Sequence, residues 1–203
     1  EQYLKSLASP QKAITIAIAG ANGNIGSGLT GCFDGKEYQH THIILAGNNQ
    51  KKLDLLRGRI FDPGRSVTCT TDLFQLREAD IIISCTNTND PLIFPHHIHP
   101  DKKVFIIDIA VPGSVSEEVK QLGNVIFSKD ASTVFLHDDP EFLISTHTPA
   151  GKVFCCAGEV MLAALYDVQA PLKGHVRSGS IKAMMHLGKL EGMFNKQVYA
   201  PPV

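Results

Sequence analysis

Short apolar runs rich in isoleucine recur through the first two thirds of the chain, and the strongest of them (ITIAIA, HIILA, DIIIS and VFIID) lack regular polar alternation. A strand with one wet face shows a polar residue at every second position, so runs without alternation are buried on both sides. Such strands, separated by helical stretches, build a parallel sheet with helices on each face. The spacing predicts strands over residues 13–19, 41–48, 66–71, 80–86, 102–112 and 124–128, with helices over 24–33, 50–60, 72–79 and 114–122 between them. The expected fold is α/β, a doubly wound parallel sheet. After Thr148 the pattern changes to two helices, 150–167 and 178–194, the second with Ser178 or Ser180 as its cap. This divides the 203 residues into a lead-in (1–11), a sheet domain (12–148) and a C-terminal helical segment (149–203).

With 43% apolar residues and a formal charge of −1, the chain has no field that would draw it to nucleic acid or an anionic membrane. Its apolar runs are strand-sized, too short to span a bilayer, so no integral membrane association is expected. Five cysteines, an odd number without the spacing of a disulfide framework, point to free thiols in a reducing, cytoplasmic setting. The chain opens on Glu1 rather than Met, with no pattern of a secretory leader, as expected of an excised domain or a processed chain.

Directly after the first apolar run stands GANGNIGSG, in which Gly20, Gly23 and Gly26 form G-x-x-G-x-x-G between a strand and a helix. In such a unit one glycine makes the tight turn, one lets the backbone approach a pyrophosphate, and one lets helix and strand pack closely. The phosphates then lie at the helix N-terminus, where unpaired N–H groups and the dipole favour an anion. The plainer alternative is three glycines that only turn a corner. The loop reading predicts dinucleotide contacts from Gly20, Asn22, Gly23, Asn24, Ile25 and Gly26.

A site selective for NAD ends its second strand with an acid that binds the ribose diol. Here that position reads GNNQKK. Asn48 and Asn49 can hydrogen-bond a 2′-phosphate and Lys51 or Lys52 can neutralise it, so NADP(H) is the expected cofactor. The same residues also read as a solvated helix start, where lysines oppose the dipole. Thr86 and Asn87, in SCTNTNDPLI, suit a loop passing the nicotinamide ribose. Asp108 and Ala110 fall at the carboxyl end of the fifth strand, where open α/β sheets place ligands. Asp108 reads equally as a site carboxylate or as a capped strand end satisfied within the chain.

Four stretches in order, AGANGNIGSGL, ADIIISCTNTNDPLI, IIDIAVPGSV and VFCCAGEVMLAALYD, are less generic. The first three resemble the cofactor domains of shikimate dehydrogenase and glutamyl-tRNA reductase. All four together resemble the long-chain acyl-[acyl carrier protein] reductases of cyanobacteria and their relatives, a family also labelled as amino acid dehydrogenases. This resemblance runs over residues 12–194 and includes the closing IKAMMHLGKLEGMF. Its most specific element is F-x-C-x-x-E-x-M-L, here Phe154, Cys156, Glu159, Met161 and Leu162. The resemblance implies a Rossmann-type cofactor domain and acylation of Cys156 by a thioester of acyl carrier protein or coenzyme A. It further implies release of a fatty aldehyde by hydride from NADPH. The family carries an additional N-terminal substrate domain that the residues before Lys12 do not supply, and Cys155 and Gly158 depart from its pattern beside the nucleophile.

Read from the residues themselves, Cys156 stands in the first turns of a helix that follows HTPAGK. A helix N-terminus and the nearby Lys152 would lower a thiol pKa, and a thiolate can attack a thioester and hold the acyl group. Glu159, three residues on, shares its face and can shuttle a proton or position a partner. The alternative is a small core residue on an apolar helix. Cys155, roughly 100° around the helix, reads as packing, as do Cys32, Cys69 and Cys85. His147, just upstream, is either a donor to a thioester oxygen or leaving thiolate, or an ordinary loop histidine. His96, His97 and His99 lack a thiol or carboxylate to complete a ligand set, so no metal is expected and the segment reads as a polar loop at the cofactor rim. Lys173, His175, Arg177 and Lys182 either attract an acidic carrier or form a solvated surface. Two other functions fit the chain: a non-covalent NADP-dependent dehydrogenase, whose usual lysine–aspartate pair is not evident, and a non-catalytic NADP-binding sensor.

Overall fold

The structure, a computed structural model, describes residues 14–128, 132–136, 139–143, 148–168 and 178–194. Two compact units divide between Ala131 and Ser132. In the first, strands β1 (Thr15–Ala19), β2 (His42–Ala46), β3 (Val67–Thr70), β4 (Ile81–Ser84), β5 (Val104–Asp108) and β6 (Val125–Ser128) form one parallel sheet of order β3-β2-β1-β4-β5-β6. The chain starts in the middle, winds to one edge, then returns to build the other side. This is the doubly wound Rossmann order, with its reversal between β1 and β4.

The missing polar alternation has a direct structural cause. Alternate residues of the same strands enter two separate cores, Ala17, Ala19, Ile44, Ile82 and Ile106 on one face and Ile16, Ile18, Ile43, Leu45 and Ile83 on the other. The second face is covered by the segment around helix α1 (Asn24–Thr30) and by helix α2 (Gln50–Ile60), through Phe33, Leu53 and Phe61. The first is covered by Leu76, Ala79, Ile93, Ile98, Val115 and Val119. Register aligns the strand ends: Ala19 pairs with Ala46 on one side and Ser84 on the other, and Ser84 pairs with Asp108. These four residues form one row at the carboxyl edge.

Several predicted helices are shorter than their patterns. The α1 helix gives way after Thr30 to a 3-10 turn, Gly31–Phe33, and Leu73–Glu78 is 3-10 throughout, capped by Asp72 through Phe74 N–H at 2.9 Å. Of residues 114–122 only helix α3 (Glu117–Lys120) is helical, because Ser114 and Val115 are extended and held by Asp108 and by the strand-like pairing of Val115 with Ile93. The fifth strand stops at Asp108 for the same reason.

The second unit opens with an antiparallel pair, β7 (Thr133–Phe135) and β8 (Lys152–Phe154), followed by helix α4 (Cys155–Leu165) and helix α5 (Ser178–Leu190). Val134, Val153, Leu162 and Met193 form its core. Residues 152–154 therefore correct the helix expected from 150: Val153 is fully buried opposite Val134, which requires extended pairing. That pairing joins Thr133–Phe135 to Lys152–Phe154 within this unit. The α5 helix ends before the expected 194, where Gly192 takes φ +64° and Met193 N–H returns to the Gly188 carbonyl at 2.9 Å, a glycine C-terminal cap.

Candidate functional site

The row of strand ends is where the first unit gathers its expected site residues. Gly20 has φ +82°, and a Cβ on it would lie 2.7 Å from the Cys85 carbonyl oxygen, so only glycine lets the loop after β1 rest against the end of β4. Gly20 and Ala21 both donate to the Ala46 carbonyl, at 2.9 and 3.0 Å, tying the loop to the end of β2. A Cβ on Gly26 would meet the Gly20 carbonyl oxygen at 2.2 Å, so α1 packs directly on the turn. Gly23 differs: the single atom within 4 Å of its Cβ position is the Gly20 carbonyl oxygen, at 3.2 Å. It caps α1 without a side chain to bond the first-turn amides, and no acidic residue stands in that turn. A bare, amide-lined, acid-free loop of this kind fits the pyrophosphate of a dinucleotide, with Asn24 and Ile25 opening the helix beneath it.

At the end of β2 the two asparagines have different duties. Asn49 caps α2, its side-chain oxygen accepting from Lys52 N–H at 3.0 Å. Asn48 Oδ1 accepts from Asn22 Nδ2 at 3.0 Å, linking this corner to the glycine loop. Lys51 and Lys52 are exposed at the start of α2.

Asp108 resolves the alternatives left open by the sequence. Its Oδ2 accepts from Ser114 N–H at 2.7 Å and Val115 N–H at 3.1 Å, and its Oδ1 from Ala110 N–H at 3.2 Å and Ser114 Oγ at 3.0 Å. The carboxylate is the buried staple of the loop after β5, engaged by the chain itself, and Ala110 N–H is part of that staple. Because a carboxylate only accepts, the Ser114 hydroxyl donates to it. Ser84 Oγ, 2.5 Å from Ser114 Oγ, must then donate to Ser114, and Thr86 Oγ1, 3.4 Å away, to Ser84. A directed chain of hydroxyls thus runs from Thr86 to Asp108. Asn87 is exposed just beyond it. Sequence reading missed Ser84 and Ser114; a serine closing the apolar run DIII was the available signal. Cys85, between these groups, has its pKa pushed up to about 12 by burial and then by the Asp108 charge.

In the second unit Cys156 is exposed in the first turn of α4, with Glu159 half-buried one turn on. The helix has no side-chain cap and no acid in its first turn, and Cys155 N–H donates to the Ser132 carbonyl at 2.8 Å. Lys152 Nζ lies 4.8 Å from the Phe135 ring centroid, so part of its contact is with the strand pair. Cys155, expected to pack, is exposed beside Cys156. Gly158 has a packing reason: a Cβ there would lie 2.6 Å from Val134 Cγ2. Cys32, Cys69 and Cys85 are half-buried, the last two against a sheet core. His147 and residues 173–177 lie outside the described residues.

The histidine segment is not a cofactor rim. Ile98 is buried in the sheet core and Asn124, next to the start of β6, donates to the His99 carbonyl at 2.7 Å, so the chain here is crossing the sheet face toward its amino edge. His97 Nδ1 accepts from Phe94 N–H at 3.0 Å and His99 Nδ1 from Asp101 N–H at 3.1 Å, which ties both rings to their own backbone. Among the described residues no three His, Cys, Asp or Glu side chains converge as a metal set, and no helix is long and apolar enough to cross a membrane.

Residues 4–129 match the family described as shikimate / quinate 5-dehydrogenase. The chain is 31% identical over 91 residues to the glutamyl-tRNA reductase of Christiangramia forsetii, an alignment covering 44% of this chain and 21% of that protein. It therefore spans about a fifth of that relative's length. Among solved structures, the malate dehydrogenase of Cryptosporidium parvum is similar at 14% identity and a TM-score of 0.40, over 86% of this chain and 67% of that one. The lactate dehydrogenase of Eimeria maxima, solved with NADH and oxamate, is similar at 14% identity and a TM-score of 0.39, over 80% and 51%.

Proposed function

The chain belongs to the shikimate / quinate 5-dehydrogenase family, and from that premise we propose that it reduces an acyl thioester to an aldehyde with NADPH, through Cys156. Its six-stranded unit is an NAD(P)-binding, dehydrogenase-like domain, as the strand order and the family match together require. The observation that carries the finer reading is the exposed Cys156 in the uncapped first turn of α4, within the Phe154, Cys156, Glu159, Met161 and Leu162 pattern.

In this reading Cys156 Sγ attacks the thioester carbonyl carbon, the bond to the carrier sulfur breaks, and the carrier thiol leaves with a proton. Glu159, on the same helix face, moves that proton. NADPH, when bound, would supply the hydride, and Cys156 Sγ would leave the acyl carbon as the aldehyde is released. Gly23 and the first-turn amides of α1 would hold the pyrophosphate, and Asn48, Asn49 and Lys51 would take the 2′-phosphate. Thr86 and Asn87 would flank the ribose, beside the loop that Asp108 and Ala110 shape. His147 would donate to the thioester oxygen. The acyl donor is a carrier-protein or coenzyme A thioester, in the cytoplasm.

The test is intact mass after incubation with long-chain acyl-coenzyme A or acyl carrier protein, without NADPH, for wild type and Cys156→Ala. A hydroxylamine-sensitive adduct absent from the variant and discharged by NADPH is the expected result. NADPH binding with no adduct overturns the covalent reading. It favours hydride transfer without an acyl-enzyme, the reading closer to the matched family's description, or a cofactor-sensing module.

A further inference from the structure

The corner between the glycine loop and β2 contains a side-chain arrangement that bears on coenzyme choice, a role that rests on the proposed dinucleotide site. An asparagine at the end of β2 is ambivalent toward the adenosine ribose. Its amide nitrogen donates to a phosphate, while its oxygen can accept from a free 2′-hydroxyl. In this chain the choice is biased. Asn48 Oδ1 accepts from Asn22 Nδ2 at 3.0 Å, which fills one of its two acceptor positions and leaves both N–H donors of Asn48 for an outside partner. A side chain with two donors and one remaining acceptor position suits a 2′-phosphate, which is all acceptor, better than a diol, which also needs an acceptor in return.

Asn22 is held in place by a third residue. A Cβ on Gly47 would lie 1.9 Å from Asn22 Oδ1 and 3.0 Å from its Cγ, so the Asn22 amide rests on the bare backbone at the end of β2. Gly47 is not in the left-handed region, and the atom in its way is the end of a side chain rather than backbone. Alanine at 47 therefore displaces Asn22, while the buried Leu53, whose Cδ2 would lie 3.3 Å from the new Cβ, has to give by only a few tenths of an ångström.

We infer that Asn22 is a positioning residue for coenzyme selectivity: seated on Gly47, it engages the Asn48 oxygen and so presents the N–H donors of that side chain to the 2′-phosphate of NADP(H).

The experiment measures dissociation constants for NADPH and NADH by calorimetry for wild type, Asn22→Ala, Gly47→Ala, Asn48→Ala and the Asn22→Ala/Asn48→Ala double variant, with far-UV circular dichroism and melting to verify folding. Wild type is expected to prefer NADPH. Asn22→Ala and Gly47→Ala each lower the NADPH-to-NADH affinity ratio about tenfold, the scale of one hydrogen bond to a charged group. In the Asn48→Ala background, removing Asn22 leaves the ratio within about twofold, because the side chain it orients is gone. Asn22→Ala weakening both dinucleotides equally, or acting equally with and without Asn48, overturns the inference while the dinucleotide site stands. A wild type that binds neither dinucleotide, or prefers NADH, overturns the coenzyme reading itself and the inference with it. Should Gly47→Ala fail to fold, Asn22→Ala at its half-buried position decides the matter alone.

Discussion

Replacing Asp108 by asparagine tests the loop after β5 with a change of one atom. The Oδ2 position receives two backbone amides, Ser114 at 2.7 Å and Val115 at 3.1 Å, which cannot turn away. The single oxygen of asparagine must therefore stay there, and its NH2 takes the Oδ1 position, facing Ala110 N–H and the Ser114 hydroxyl. The hydroxyl can rotate to accept, which reverses the chain through Ser84 to Thr86; the Ala110 amide cannot. One hydrogen bond of about 1 kcal/mol is lost, and two others lose the charge assistance that roughly doubles their strength. The sum is a destabilisation of about 2–3 kcal/mol. Asp108→Ala, which leaves the Ser114 and Val115 amides unpaired in a buried site, costs about 4 kcal/mol or more. Urea denaturation of the three proteins measures the ranking, and hydrogen exchange at the Ser114 and Val115 amides localises it. Asp108→Asn also removes the charge that, after burial, raises Cys85, so its thiol titrates below the wild-type value of about 12. An Asp108→Asn protein within about 0.5 kcal/mol of wild type, with unaltered exchange at these amides, refutes the staple.

Gly20→Ala combines a φ of +82° with a Cβ 2.7 Å from the Cys85 carbonyl oxygen. It is expected to lower stability by more than about 2 kcal/mol and to abolish dinucleotide binding, read by thermal melting and calorimetry. Gly58→Ala, inside α2 with nothing within 4 Å of the added Cβ, is expected to raise stability by about 0.5–1 kcal/mol, and a loss there would show that the helix face is not open. Cys85 makes stability fall in alkali. With its pKa raised from 9.0 to about 12, the folded chain keeps a proton that the unfolded chain releases. Its contribution is complete below pH 9.0 and is lost up to about pH 12, at about 1.4 kcal/mol per pH unit. Cys85→Ala flattens that slope in urea titrations at pH 8 and 10; an unchanged slope places the effect elsewhere.

Much of this molecule is legible from local pattern. The first apolar run, the glycines after it and the capped helix of residues 50–60 announced a strand, a turn and a helix whose observed bounds, Thr15–Ala19 and Gln50–Ile60, fall within or on those expected. The helical patterns over 114–122 and 150–154 misled because helical period is a local property, while Ser114, Val115 and Val153 answer to distant partners. The His96, His97 and His99 segment misled for the same reason, since only the path of the chain shows which edge of the sheet it approaches.

The sequence by itself determined the alternation of buried strands and helices, and with it the parallel sheet, because a strand without polar positions has no wet face to offer. It also placed the glycine loop between the first strand and the helix after it, because glycine spacing is read from near neighbours in the chain. The tertiary structure decided what the polar groups are for. Asp108 became a staple rather than an open site group, Gly47 a seat for Asn22, and Gly158 a contact for Val134. Each of these roles depends on an atom many residues away brought within a few ångströms, and hydrogen bonds and steric contacts act only at that range.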